Sequence, residues 1–192
     1  VACSAMAADG QAAAPAPATA PAPAPAFTYQ EVMVPVRDGV KLQTVIIAPA
    51  GAHEKLPILF SRSPYGVPPA APPALPPSYS ELAKDGYILV FQNLRGRGKS
   101  EGVFQISTKI DLKNPKAIDE ATDAYDSIDW LVKNVPNNNG RVGMTGVSYS
   151  GLTAGMALLR PHPALKAVSD QASPSDLWMN DDFHRYGVLR LS

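Results

Sequence analysis

Ser148 is the residue of this sequence best placed to do covalent chemistry. It lies in Thr145–Gly151, "TGVSYSG", one position away from the G-x-S-x-G pattern that lifts a nucleophilic serine on a sharp turn between strand and helix. Ser150 stands where the second glycine belongs, and Gly151 follows it. So tight a turn needs small residues two places before and two places after the serine, and Gly146 and Ser150 both qualify. A serine hydroxyl is a weak nucleophile until a neighbouring base takes its proton, so this reading calls for a histidine and an acid as well. The competing reading makes Ser148 the N-cap of the helix after it.

The chain has three histidines. His53 falls in a surface turn and His162 between two prolines, and both read as loop residues. His184 is the remaining candidate base, but it follows the serine closely. Asp181 and Asp182 form a pair of carboxylates, with acidic stabilisation of a helix N-terminus as the plainer alternative. "GRGKS" at 96–100 invites comparison with a phosphate-binding loop, yet the glycine required five residues before Gly98 is Asn93, so nucleotide binding is rejected. No Cys/His cluster suggests a metal site, and nothing in the pattern calls for a cofactor.

These residues must be held by strands and helices, and the hydrophobic periodicity places them. "EVMVPV" (31–36) and "KLQTVIIAP" (41–49) flank Arg37-Asp38-Gly39, which predicts an antiparallel hairpin. Buried-type strands follow at 57–62 and 87–93, separated by a proline-heavy loop (67–77) and a short helix ending at Gly86. Apolar or aromatic residues at 118, 121, 125, 128, 132 and 135 mark a helix with one buried face. A strand at 141–146, a helix at 149–160 and a strand at 165–170 complete the series. A hairpin followed by alternating strands and helices predicts an α/β fold, with a mostly parallel sheet and helices on both faces. "TGVSYSG" then sits between a strand and a helix, where a nucleophile elbow belongs.

On these residues the chain resembles the CocE/NonD hydrolases, the α/β-hydrolase family that includes cocaine esterase, X-Pro dipeptidyl-peptidases, glutaryl acylases and α-amino-acid ester hydrolases. "VPVRDGVKL" (34–42), "SPYG" (63–66), "RGRGKSEG" (95–102) and "DEATDAYDSIDWLVKN" through "NNNGRVGMTGVSYSG" (119–151) match in order, so the resemblance covers residues 28 to 192. "LLRPHPALKAV" and "DLWMNDDFHRYG" are most similar to the amino-ester hydrolase and glutaryl acylase branch. The resemblance implies Ser148 as nucleophile, with an oxyanion hole made of the Tyr65 hydroxyl and the Tyr149 backbone N–H. It also implies that a carboxylate cluster, here Asp181 and Asp182, meets a substrate ammonium. "RGRGKSEG" becomes a structural turn beside the site, with Asn93 in place of the usual aspartate. The triad's acid and histidine are expected beyond Ser192, after later strands, and the 192 residues alone are expected to be inactive. The implied activity is cleavage of ester or amide bonds through an acyl-enzyme, on α-amino-acid esters or acyl and β-lactam side chains, with an X-Pro dipeptidyl-peptidase as the runner-up. A noncatalytic binding protein on the same fold is the alternative of another class.

With 17 basic and 17 acidic residues the net charge is zero, which argues against a polyanionic partner such as nucleic acid. Residues 11–26 hold nine Ala and five Pro and read as an extended spacer. Before it, residues 1–10 read as the remnant of an export signal, with Cys3 as the lipidated cysteine of a lipoprotein or Ala5-Met6-Ala7 as an ordinary cleavage site. Both suggest a periplasmic or outer-membrane protein, the former with a lipid anchor. The expected organisation is a hydrolase domain over 27–175 and the start of a helical cap over 176–192.

Overall fold

The computed structural model describes residues 26–72, 86–106, 108–174 and 184–189, together with Tyr79, Leu82, Asp176 and Met179. Cys3, the spacer up to residue 25, and the Asp181–Asp182 pair lie outside the described residues.

The alternating runs at the start form β1 (Phe27–Pro35) and β2 (Lys41–Pro49), paired antiparallel from Phe27 opposite Pro49 to Pro35 opposite Lys41. Gly39 closes their turn at φ +86°, a left-handed conformation that glycine adopts without steric cost. Four further strands follow: β3 (Leu56–Ser63), β4 (Ile88–Asn93), β5 (Asn138–Val147) and β6 (Leu165–Gln171). The six lie in the order β1-β2-β4-β3-β5-β6. The hairpin joins β4 antiparallel, and β4, β3, β5 and β6 run parallel. His184–Arg185 (β7) and Val188–Leu189 (β8) form a separate two-residue ladder.

Among the described residues, two complete helices connect the parallel strands: α1 (Glu120–Asn134) and α2 (Tyr149–Met156), the latter continued by a single 3-10 turn at Ala157–Leu159. α1 starts at Asp119 because a capping box closes it. The Asp119 carboxylate accepts the Thr122 N–H at 2.8 Å while the Thr122 hydroxyl accepts the Asp119 N–H at 2.9 Å. The buried face of α1 is set by Ala121, Ala124, Ile128, Leu131 and Val135, shifted from the expected stripe. Ile118 precedes the cap and is 53% exposed, and Tyr125 and Val132 are only half-buried. The shift has a physical cause: Thr122, Asp123 and Ser127 share the buried face and meet polar partners there, so apolar residues alone misphase it.

Both helices pack on one face of the sheet. Ala124, Ile128 and Leu131 of α1 and Ala154 and Ala157 form one core with Ile58, Phe60, Ile88, Val90, Val142 and Met144. The other face carries Val45, Ile47 and Leu89 under Tyr29, Tyr79, Tyr87 and Phe91, with Tyr79 in helical conformation. The central strands are thus covered on both sides, which is why they read as continuous apolar runs.

A cluster of charges is buried where β3 meets α1. The Arg62 guanidinium is fully enclosed and donates from Nε to Gln92 at 2.8 Å, and from Nη1 to the Glu120 carboxylate at 2.9 Å and the Glu120 carbonyl at 3.0 Å. Burial pushes the Glu120 carboxyl up, against the lowering pull of Arg62. Arg95 extends the cluster, bonding Asp123 at 2.6 Å and Asp38 at 2.7 Å. Removing one partner of such a pair strands the other in low dielectric, at a cost of about 3–5 kcal/mol. Glu120→Ala is expected at the lower end of that range, since Arg62 keeps its other partners. Urea denaturation checks this, and an unchanged midpoint would show that the pair is not needed for the fold.

Candidate active site

Strand β5 ends at Val147 and α2 begins at Tyr149, which leaves Ser148 to make the turn alone. Its backbone sits at φ 59°, ψ −124°, away from every basin that a residue with a side chain prefers. Such a conformation costs about 1–3 kcal/mol and persists only when the surroundings impose it. Here they do. The Ser148 N–H donates to Gln171 O at the end of β6 at 2.9 Å, and the Ser148 carbonyl accepts Leu152 N–H at 3.0 Å. Ser148 occupies the N-cap position of α2, yet its side chain makes no capping hydrogen bond. The hydroxyl is exposed at the carboxyl edge of the parallel sheet, at the positive end of the helix dipole.

The glycines around it explain the departure from the usual pattern. A Cβ on Gly146 would lie 2.1 Å from Ser150 O and 2.2 Å from Ser150 C, so nothing larger than hydrogen fits. A Cβ on Gly151 would stand 2.8 Å from Gln171 O and 3.0 Å from Asp170 Oδ1. The second glycine is therefore required one place late, where α2 presses on the end of β6. Since the obstacle at Gly146 is backbone, Gly146→Ala is expected to cost about 3 kcal/mol, the upper end for overpacking, and to disorder the elbow. Thermal denaturation and labelling of Ser148 by a fluorophosphonate check this; wild-type behaviour in both would show that the turn is looser than described.

Tyr65 stands beside the elbow. It follows the end of β3 and is 73% exposed. Its ring meets the Tyr149 ring edge-on, with centroids 6.5 Å apart at 75°. The turn that carries it is held by hydrogen bonds: Tyr65 N–H donates to Ser63 Oγ at 3.0 Å, Leu94 N–H to Ser63 O at 3.2 Å, and Arg97 Nε to Pro64 O at 2.8 Å. The Arg97 guanidinium also lies 5.1 Å over the Phe104 ring, which is 6.2 Å from Tyr149. The Tyr149 hydroxyl donates to Ile106 O, and burial, then Glu120 and Tyr65, push it up to about 12, so it stays a donor at neutral pH. The Tyr149 N–H is among the first N–H groups of α2, which helix geometry leaves without intrahelical acceptors.

The site is thus bounded by 63–65, 95–106 and 148–149, segments far apart in sequence. Arg97 stands out in the sequence only as part of "RGRGKSEG", whose glycines at 96 and 98 adopt φ +64° and +55°, and Phe104, two residues past that motif, does not stand out at all. His53 is exposed in the turn between β2 and β3. His162 sits against Tyr125, ring centroids 4.7 Å apart, with Nε2 3.5 Å from Asp129 and Nδ1 accepting Ala164 N–H at 3.0 Å. His184 lies in β7.

Comparison with known proteins bears on the family and the fold. The family model of the X-Pro dipeptidyl-peptidases (S15 family) matches residues 38–192. Cocaine esterase of Rhodococcus sp. (strain MB1 Bresler) is 36% identical over 148 residues, 77% of this chain and 24% of that protein. Among solved structures, an α-amino acid ester hydrolase superposes with a TM-score of 0.80 at 43% identity, covering 91% of this chain and 30% of that one. An aminopeptidase from a marine-sediment Thaumarchaeota archaeon gives 0.78 at 40% identity, covering 86% and 28%. A CocE/NonD family hydrolase from Staphylococcus aureus gives 0.64 at 28% identity, covering 82% and 30%. The chain spans about a quarter of the length of the curated relatives it matches. A mostly parallel sheet with an antiparallel hairpin, an elbow between β5 and α2, and these matches together place the chain in the CocE/NonD family of S15-type α/β-hydrolases.

Proposed function

We propose that the protein hydrolyses ester or amide bonds through an acyl-enzyme on Ser148, acting on α-amino-acid esters or on acyl groups such as β-lactam side chains. The observation that carries this reading is the strained Ser148 backbone with its uncapped, exposed hydroxyl, a conformation that helix capping does not require. The Ser148 Oγ attacks the substrate carbonyl carbon as a base removes its proton. The oxyanion that forms is met by the Tyr149 N–H and the Tyr65 hydroxyl, and collapse expels the alcohol or amine, which takes the proton back from the base. Water then attacks the acyl-enzyme by the same route. In this reading the base and its acid come from strands later than β6, and Asp181 and Asp182 pair with a substrate ammonium. Export, with Cys3 as a lipid anchor, belongs to the same proposal and rests on the leader sequence alone.

Support for the amino-ester class comes from the likeness to an α-amino acid ester hydrolase at 43% identity. The likeness to an aminopeptidase, at 40%, keeps the X-Pro dipeptidyl-peptidase reading as the second. The two separate on the full-length protein. An alanine ester should be cleaved about 10- to 100-fold better than its N-acetylated form, because a charge-assisted bond to the ammonium is worth about 1.5–3 kcal/mol. Equal rates would remove the ammonium-binding role, and efficient release of p-nitroaniline from an X-Pro anilide would favour the peptidase. Failure of a fluorophosphonate to label Ser148 would favour a noncatalytic binding protein.

A further inference from the structure

Thr153 lies in the second turn of α2, fully buried, five residues after the nucleophile candidate. Its hydroxyl is 3.0 Å from Arg62 O on β3 and 3.0 Å from Ser150 O in its own helix. A threonine hydroxyl has one proton to give. Ser150 O is a helix carbonyl with the Ala154 N–H as its regular donor, which leaves that proton for Arg62 O. The location is a gap in the sheet. β3 pairs with β5 only as far as Phe60, opposite Met144, while β5 runs on to Val147 and turns into α2. Past that point the Thr153 bond ties the two elements together where the ladder has ended.

Arg62 is three residues before Tyr65. Of the hydrogen bonds that hold 62–65 among the described residues, the Arg62 guanidinium reaches Gln92 on β4 and Glu120 on α1, Leu94 N–H and Arg97 Nε approach from the loop after β4, and the Ser63 hydroxyl is internal to the turn. Among these described residues, only Thr153 makes such a hydrogen bond from the helix that carries Ser148 and Tyr149, beside the ring contact of Tyr65 with Tyr149. We propose that Thr153 is a positioning residue for hydrolysis, a brace that fixes the spacing between the Tyr65 hydroxyl and the Tyr149 N–H. This rests on the reading of those two groups as oxyanion donors. Donors must stand within about 2.7–3.1 Å of the developing oxyanion, and a displacement of about 1 Å can cost on the order of 10²-fold in rate.

The test is a double-mutant cycle on the full-length protein with a chromogenic ester, reading kcat, KM and the thermal midpoint. Thr153→Val keeps the shape and removes the donor; it should lower kcat about tenfold or more with KM unchanged. Thr153→Ala is a second deletion of the hydroxyl, for use if the valine variant folds poorly. Thr153→Ser should recover most of the lost kcat. In a Tyr65→Phe background, Thr153→Val should change kcat less than about threefold, because the hydroxyl it positions is gone. Equal losses in both backgrounds would make Thr153 a purely structural residue, and wild-type kcat in Thr153→Val would overturn the brace outright. A Tyr65→Phe single variant with full kcat would instead remove the oxyanion reading itself, and this proposal with it.

Discussion

Ser148→Ala is expected to leave the fold intact and abolish acyl-enzyme formation. The side chain makes no capping bond, so its loss removes no contact that α2 depends on. Alanine also has less to clash with at the strained backbone position than any larger residue. Catalysis, by contrast, loses the atom that forms the covalent bond. What remains is binding and oxyanion stabilisation acting on attack by water, on the order of 10³–10⁴ over the uncatalysed rate. Burst kinetics with an activated ester and fluorophosphonate labelling check this on the full-length protein, with circular dichroism as the control for folding. Hydrolysis at the wild-type rate by the alanine variant would sink the elbow assignment.

The second-largest effect is expected at Tyr65. A donor aimed at the oxyanion acts mainly in the transition state, where the charge appears, so its loss lowers kcat far more than it raises KM. Tyr65→Phe should cost about 10²–10³ in kcat, as for other single oxyanion donors. The phenol is 73% exposed and its turn is held by backbone and Ser63 contacts, so the variant should fold with little loss of stability. A change confined to KM would move Tyr65 from the oxyanion hole to substrate binding.

These two residues were legible in the sequence to different degrees. Ser148 could be found from local information, because an apolar strand, a small-residue turn and an apolar helix follow one another within twenty residues. Tyr65 came only from the resemblance of "SPYG" to a family motif, since nothing in its own surroundings distinguishes it from a loop tyrosine. Ile118 was misread as part of the buried face of α1, because periodicity counts apolar residues and cannot see that Asp119 caps the helix just after it. The same blindness hid the buried polar face of α1, where Asp123 and Ser127 find Arg95 and Gln92.

By itself the sequence determined what depends on neighbours along the chain. The hairpin follows from its D-G turn, the strands β3 and β4 from their short apolar runs, and the elbow from its place between β5 and α2. Tertiary structure alone decided what depends on atoms brought together from distant positions. Thr153 reaches Arg62 O across 91 residues, and Arg97 reaches Pro64 O across 33. Both acceptors are backbone carbonyls, which every residue possesses and which therefore leave no mark in the sequence. The delayed glycine has the same cause. Gly151 is required by the carbonyl of Gln171, twenty positions later, and only the packing of α2 on β6 puts that oxygen where a Cβ would be.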